Sequence, residues 1–524
     1  MTLPELARAV AAGEYSGVTM DSREVVAGGI FVALRGERAD GLTFAPQAVE
    51  AGARVIVTDL PYESKAAVVL VDDARVALSR LAAAFYRDPS RDLDVVGITG
   101  TNGKTTTTQM VASIFDAARR PAGVIGTIGA RFGAYSWELQ NTTPQPPELQ
   151  SLLSRMRAAG AEVVAMEVSS HALELERVAD VRFAVGAFTN LTRDHLDFHG
   201  TTEAYAAAKR RLFDAAERCV YNADDPYGAL WAGQTRGTKP TTTFAIDADA
   251  DVRATDIAMR TDGSTFAVDG TRFAVHLPGR FNVANALCAI ACARALGIDD
   301  ATSAKGLDAV RRVPGRMEPV RGGDVAVVVD YAHTPDSLTN ALTALRETTS
   351  GKLSVVFGCG GDRDRGKRPL MGAVAARLAD RIYVTDDNPR TESSRAIIEE
   401  IVAGIGGKAH AVVPDRRAAI ERAVREADPG DAVLVAGKGH GPINSSAATC
   451  FRSTTPKSRA KRSRAAKVRD DPVRGGRRGD RSGSARRRGR AGVAAGHDGH
   501  ANDRPGRCVP GAARRAVRRP RLHA

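Results

Sequence analysis

The sequence predicts an α/β protein of three domains followed by a disordered basic tail. Three observations lead there. Short β-branched runs bounded by Gly, Asp or Pro alternate with helical stretches through residue 440, as in largely parallel sheets with helices on both faces. A chain of 524 residues has room for about three domains of roughly 150 residues each. Past His440 the composition changes: the last 84 residues hold one Leu, one Phe and no Tyr, Trp or Met among many Arg, Ala, Gly and Ser. That is too little apolar surface to fold. The divisions fall at 1–88, 89–314, 315–440 and 441–524.

In the first domain, Ile30–Leu34, Val55–Thr58 and Val68–Val71 read as buried strands, and Phe44–Val49 opens a helix between them. This is a small N-terminal α/β domain. The second begins with the strand Leu93–Ile98, which runs straight into a Gly-rich turn. It continues with strands at Val163–Val168 and Phe183–Thr189 and ends near Val313-Pro314-Gly315. In the third, Val325–Asp330, Leu353–Gly358, Ile382–Thr385 and Ala432–Ala436 form a Rossmann-like parallel set. Each runs into a polar loop at its carboxyl end, where open α/β sheets bind ligands.

Bulk properties exclude several classes. No run of about 18 uncharged apolar residues exists, so no membrane span is expected. The start Met1-Thr2-Leu3-Pro4-Glu5 has no basic region ahead of an apolar core, so no secretory signal is expected. Six cysteines (219, 288, 292, 359, 450, 508) show no disulfide framework and read as buried thiols of a reduced, cytoplasmic protein. The net charge of +13 points to nucleic acid until it is divided along the chain. The last 84 residues hold 23 Lys and Arg against 5 Asp, which leaves the rest with 51 basic and 56 acidic residues, a net of −5. The body is mildly acidic, and nucleic acid is a partner only through the tail.

Chemistry begins at Gly97-Ile98-Thr99-Gly100-Thr101-Asn102-Gly103-Lys104-Thr105-Thr106. Strand, Gly-rich turn and helix in this order make a phosphate site from backbone N–H groups and a helix N-terminus, so the central sheet is P-loop ATPase-like. Gly100, Thr101, Asn102, Gly103 and Thr106 would line it. Lys104 would reach the β/γ-phosphates of ATP and Thr105 would hold Mg²⁺. Glu167 ends a strand beside the loop and suits Mg²⁺, although a buried ion pair would place it there too. His195 sits among Asp194, Asp197 and His199, as in a solvated turn or a metal and phosphate site. Lys209 reads as an ordinary helix-surface lysine.

The variant Thr99–Thr105 resembles the Mur ligase family, and further motifs follow in the family's order. They include Asp21-Ser22-Arg23, Asn141-Thr142-Thr143-Pro144, Met166–His171, Thr189–Asp197, Gly279–Asn282, Pro314–Glu318, Asp330–Asp336, Gly358–Asp364 and Asp387-Asn388-Pro389-Arg390. The resemblance spans about residues 16–440. It implies an ATP-dependent amide ligase of peptidoglycan synthesis. Such an enzyme joins meso-2,6-diaminopimelate to the D-glutamate side-chain carboxylate of UDP-N-acetylmuramoyl-L-alanyl-D-glutamate through an acyl phosphate.

By the same resemblance, His195 contacts metal, and Lys209 is carbamylated and bridges toward a second Mg²⁺. Ser22, Asn141, Thr142, Thr143, Ser169 and Arg177 hold the UDP-muramoyl dipeptide, while Asn282, Arg316 and Asp330 contact the nucleotide. Arg363, Asp387, Asn388, Pro389, Arg390 and Gly437 belong to the amino-acid pocket of a monomeric enzyme. An Arg fork grips a carboxylate bidentately, and diaminopimelate has a distal carboxylate that lysine lacks. A lysine-adding relative is the runner-up, disfavoured by the Asp387–Arg390 segment. From another class, the chain is a catalytically weakened ATP-binding protein whose tail binds nucleic acid.

The family pattern Gly-Lys-Gly-His-Glu is met at Gly437–His440 and broken by Gly441. Either the Arg-rich tail is genuine and binds RNA or anionic surfaces, or it is translated out of frame. Back-translation with chosen codons favours the second. One restored base turns Gly441 into Glu, and the neighbouring frame continues into an amphipathic ending.

Overall fold

The computed structural model describes residues 1–36, 39–260, 262–320 and 325–437. Lys438–His440, the frame-shift reading at Gly441, the predicted tail 441–524, Cys450 and Cys508 lie outside the described residues.

Val18–Thr19, Ile30–Val32, Val55–Thr58 and Ala67–Leu70 form a four-stranded parallel sheet in sequence order. Its β-branched residues alternate between two cores. Ile30, Val32, Val55 and Val57 meet helices Leu3–Ala11 and Ala74–Phe85 on one face, while Phe31 and Ile56 meet Ala45 and Ala48 of helix Ala45–Glu50 on the other. Leu3–Ala11 starts at a capping box in which Thr2 accepts from the Glu5 amide and the Glu5 carboxylate accepts from the Thr2 amide.

The central sheet has nine strands. Asp94–Thr99 lies in its middle, hydrogen-bonded in parallel to Phe183–Phe188 on one side and Val163–Glu167 on the other. Both neighbours were predicted. Ala216–Asn222, Thr241–Ala245 and Val252–Arg253 extend one edge. On the other, Ala122–Gly126 leads into an antiparallel hairpin of Gly129–Phe132 and Tyr135–Trp137. A separate antiparallel sheet spans Thr255–Arg260, Gly263–Val268 and Thr271–Val275. Helices Lys104–Ala117 and Arg280–Ala295 bury their apolar faces in one core with it.

The last sheet has six strands. Ala326–Asp330, Ala432–Ala436, Leu353–Phe357, Arg381–Val384 and Ala411–Val412 run parallel in that spatial order. Glu318–Val320 pairs antiparallel at the edge. The last described strand therefore lies between the first two parallel ones. Val328, Val355 and Leu434 face one helical layer and Val327, Val356 and Val433 the other. This placement brings Asp330, Gly358 and Gly437 to one end of the sheet, although they are far apart in sequence.

Candidate active site

Gly100 and Gly103 have φ of 149° and 89°, conformations that side chains rarely adopt. A Cβ on Gly100 would strike the Thr189 hydroxyl, and one on Gly103 the Asn285 amide oxygen. The loop is therefore moulded against the ends of Phe183–Phe188 and Arg280–Ala295. Asn102 fixes it further: its amide donates to Asn190 Oδ1 at 2.9 Å, and its Nδ2 donates to Asp336 Oδ2 at 2.9 Å. Lys104, first in its helix, donates from Nζ to the Gly100 and Thr101 carbonyls at 2.8 and 2.9 Å. Burial lowers its pKa, with Glu167 and Asp194 pulling the other way. Arg316 stacks on the Tyr331 ring at 4.7 Å and donates to Thr105 Oγ1 at 2.7 Å, joining the last sheet's entrance to the loop.

Lys209 is not a surface lysine. It is 1% exposed, lies over the Tyr205 ring at 4.4 Å, and donates to the same Gly100 carbonyl at 2.9 Å. Burial, and then the neighbouring Lys104, push its pKa well below the usual value. Among the described residues no carboxylate is within ion-pair reach of its Nζ, so it is a buried amine that favours the neutral form.

Beyond it, Asp194 lies 3.3 Å from His195, 3.7 Å from His333 and 3.7 Å from Lys367. Burial alone would raise its carboxyl, but His333, His195 and Lys367 outweigh that and hold it well below the usual range. Burial takes His195 down to about 3, leaving a neutral imidazole in the physiological range. Glu167 accepts from the Thr127 amide at 2.8 Å and hydroxyl at 3.1 Å.

Among the described residues no three His, Cys, Asp or Glu side chains converge as a metal site. A Mg²⁺ here would draw on Thr105, Glu167 and His195, with Lys209 contributing only if its amine carried an oxygen donor. That set is consistent with a hard cation sharing its shell with phosphate oxygens.

A cavity of about 510 Å³ opens beside Asp194, His195, His333 and Lys367. Asn141, Thr142, Thr143, Ser169, Arg177 and His195 line it from the central part of the chain, and Arg363, Asp387, Asn388, Arg390 and Gly437 from the last. Several predicted contacts also serve the fold. Thr143 donates to the Glu167 carbonyl at 2.8 Å, Ser169 Oγ caps the helix Ser170–Glu174, and Arg177 donates to the Thr143 carbonyl at 3.1 Å. Arg177 Nε is buried without a partner, so this guanidinium retains an unused donor. Ser22 stands apart from this cavity. It is buried in the N-terminal unit, donating to Gln47 Oε1 at 2.8 Å. Nearby Met20 lines a second cavity of about 960 Å³ that also reaches His171, Arg363 and Arg390.

Pro389 is not among the cavity-lining residues; its carbonyl packs so closely that Gly361 can carry no Cβ. Gly437 is held likewise against Asp387, whose Oδ2 lies 2.6 Å from the position of a Cβ.

A third, smaller cavity of about 100 Å³ lies between Gly103, Thr105, Asn190, Phe281, Arg316 and Asp330. Asp330 accepts from the Met317 and Ala332 amides at 2.8 Å each. Asn282 braces Asn285 at 3.0 Å and donates to the Pro278 carbonyl at 2.8 Å.

Sequence reasoning missed Lys367 and Arg416 as site residues and left His171, Tyr331 and His333 inside quoted motifs without roles. Arg416 is 7% exposed and donates to the Ala436 carbonyl at 2.6 Å. Its only local signal is a basic residue at a helix start.

Comparisons with known proteins agree with this architecture. Residues 14–86 match the Mur ligase family catalytic domain, 98–293 the Mur ligase middle domain, and 315–439 the Mur ligase glutamate ligase domain. The chain belongs to the Mur ligase family. One relative is the UDP-N-acetylmuramoyl-L-alanyl-D-glutamate–2,6-diaminopimelate ligase of Thermosynechococcus vestitus, 46% identical over 442 residues, covering 82% of this chain and 88% of the relative. Another, of the same name, comes from Geobacter metallireducens: 43% over 485 residues, 84% and 94%. A solved structure of an enzyme with that name matches with a TM-score of 0.59 at 35% identity, covering 81% of this chain and 90% of the other. MurF from Acinetobacter baumannii shares the fold at 21% identity, with a TM-score of 0.63 over 86% and 98% of the two chains.

Proposed function

We propose that this chain is an ATP-dependent amide ligase adding meso-2,6-diaminopimelate to the D-glutamate side-chain carboxylate of UDP-N-acetylmuramoyl-L-alanyl-D-glutamate. One observation carries the reading. A single cavity is lined by the wall of Asn141–Thr143, Ser169 and Arg177 and by the wall of Arg363, Asn388 and Arg390, together with His195 and with Asp194, whose charge also acts on Lys104. The muramoyl dipeptide lies on the first wall, and Ser22 meets its nucleotide end. The incoming amino acid lies on the second, where Arg390 and Arg363 take its distal carboxylate. ATP sits with its phosphates in Gly100–Thr106 and its nucleoside by Asn282, Arg316 and Asp330.

The D-glutamate carboxylate attacks the γ-phosphorus of ATP. ADP leaves and an acyl phosphate forms. The neutral amine then attacks the acyl carbon, phosphate departs, and the amine's proton is lost. Lys104 neutralises charge on the transferring group, and Arg177 and Arg390 fix the two reactants, so the rate comes chiefly from positioning and charge stabilisation. Thr105, Glu167 and His195 would hold a Mg²⁺, which would supply further neutralisation of phosphate charge. Lys209, a buried neutral amine, adds to CO₂ and loses a proton. The resulting carbamate would place an anionic oxygen donor for metal where an ammonium would be ill placed.

The divisions at 88 and 314 belong to this reading, supported by the separate sheets and cores, as do a monomeric state and a cytoplasmic location; the division at 440 lies outside the described residues. Among the described residues no helix is long and apolar enough to cross a membrane.

The test is phosphate release by the purified full chain with ATP and the nucleotide dipeptide, comparing meso-diaminopimelate with L-lysine. Turnover dependent on diaminopimelate is expected. Preference for lysine would transfer the assignment to the lysine-adding type. No turnover, together with salt-dependent RNA binding, would favour the weakened ATP-binding protein.

A further inference from the structure

Behind the amino-acid wall lies a guanidinium that nothing above has used. Arg368 is 0% exposed, near the start of helix Lys367–Leu378. Burying such a charge is unfavourable unless it is paired and hydrogen-bonded, and Arg368 has two carboxylates. It donates to both oxygens of Glu392 at 2.7 and 2.9 Å and to Glu400 at 2.9 Å. Its Nη2 also reaches the Gly360 carbonyl at 3.2 Å. The pairing holds the Glu392 carboxyl down to about 2.

Glu392 transmits this to the pocket. Its Oε1 also accepts from the Asp362 amide at 2.5 Å. From there the two loops are joined bond by bond. The Gly361 amide donates to the Asn388 carbonyl at 2.9 Å, Arg390 to the Gly361 carbonyl at 2.5 Å, and the Thr391 hydroxyl to Asp362 Oδ1 at 2.7 Å. Asp362 and Arg390 have φ of 49° and 51°. Residues with side chains hold such backbone only where their surroundings over-determine it. The far anchor is rigid as well. Gly372 and Gly404 let helices Lys367–Leu378 and Ser394–Ile405 meet backbone to backbone, since a Cβ on either would strike a carbonyl across the contact. Glu400 is carried on the second of these helices.

We propose that Arg368 is the positioning residue of the amino-acid pocket: clamped between Glu392 and Glu400, it locks the loops Gly358–Asp364 and Asp387–Glu392 in the register that aims Arg363, Asn388 and Arg390 into the cavity. The inference rests on the functional reading above for what the pocket binds, but not for the brace itself. Lysine cannot replace Arg368 in full, because an ammonium has three donors where the planar guanidinium fork makes four hydrogen bonds.

The experiment uses the full chain with Arg368→Lys and, in case that variant folds poorly, the near-isosteric Glu392→Gln. In steady-state assays the KM for diaminopimelate should rise about tenfold to a hundredfold, while the KM values for ATP and the nucleotide dipeptide hold within about twofold. A folded variant with an unmoved amino-acid KM, or with only kcat reduced, would overturn the proposal. Hydrogen exchange on the substrate-free protein gives a second readout. The Gly361 and Asp362 amides should exchange faster in both variants, with the Ala432–Ala436 strand unchanged. Should the wild type not turn over diaminopimelate, the functional reading fails, and the exchange arm alone decides the brace. Unaltered exchange at Gly361 and Asp362 would sink it.

Discussion

The phosphate loop and the amino-acid pocket both hold charged groups still, by different means. In Gly100–Thr106 the charged group is held locally, by two glycines in left-handed or related backbone, a helix start, and Lys104 folded over its own loop at 2.8 and 2.9 Å, while Asn102 ties the loop to Asn190 and Asp336. In the amino-acid pocket the positioned atoms come from separate strand ends, and Arg390 is tied to a carbonyl 29 residues away. The loop's lysine is held by its neighbours in sequence, whereas Arg390 depends on a tie between two strand ends.

The largest expected effect is at Lys104. With Lys104→Ala, phosphate release should fall by about a thousandfold, the scale for removing one preorganised charge-stabilising donor. The thermal midpoint should not fall, because burial already disfavours the ammonium. A large loss of midpoint would mean that the loop depends on its lysine for shape and would break the contrast.

At the assembled end, Arg390→Lys keeps the charge and removes the fork. The KM for diaminopimelate should rise about tenfold to a hundredfold, with the KM for ATP unmoved. Equal changes in both constants would show the two ends to be coupled through the cavity rather than separately built.

The same contrast explains what was legible in the sequence. The phosphate loop could be read residue by residue, since strand, glycines, lysine and helix are contiguous. So could the buried parallel strands, whose β-branched runs of four to six residues survive almost unchanged as Val55–Thr58, Asp94–Thr99 and Ala432–Ala436. The antiparallel sheet over residues 255–275 was not foreseen. Its first strand is exposed at nearly every position, and its apolar run is only the three residues Ile257-Ala258-Met259.

Lys209 read as a surface residue because helix periodicity does not show that Tyr205 and Gly100 close over it. Arg368 is the extreme case. It had no place in the sequence reading, and its partners stand 24 and 32 residues downstream. Long-range pairing leaves no local mark. The ordered motifs of the family located the amino-acid pocket, but not the ties that hold it.

His171 offers the gentlest test, since it lines both the reaction cavity and the larger one beside the N-terminal unit. Its ring stacks on Phe198 at 4.2 Å and meets His195 edge-on at 4.8 Å. Burial, and then His199, lower its pKa to about 4. The unfolded side chain, near 6.5, therefore takes up a proton that the folded one refuses as pH falls from about 6.5 toward 4. Stability should drop with falling pH through that window, by at most about 1.4 kcal/mol per pH unit for this one group. His171→Asn should flatten the slope of urea midpoint against pH without abolishing it, because His195 is lowered in the same direction. Superimposable slopes for the two proteins would mean that His171 protonates freely in the folded state. The wall between the two cavities would then be open to water there, and the assembled side of the site would be looser than the phosphate loop in a second respect.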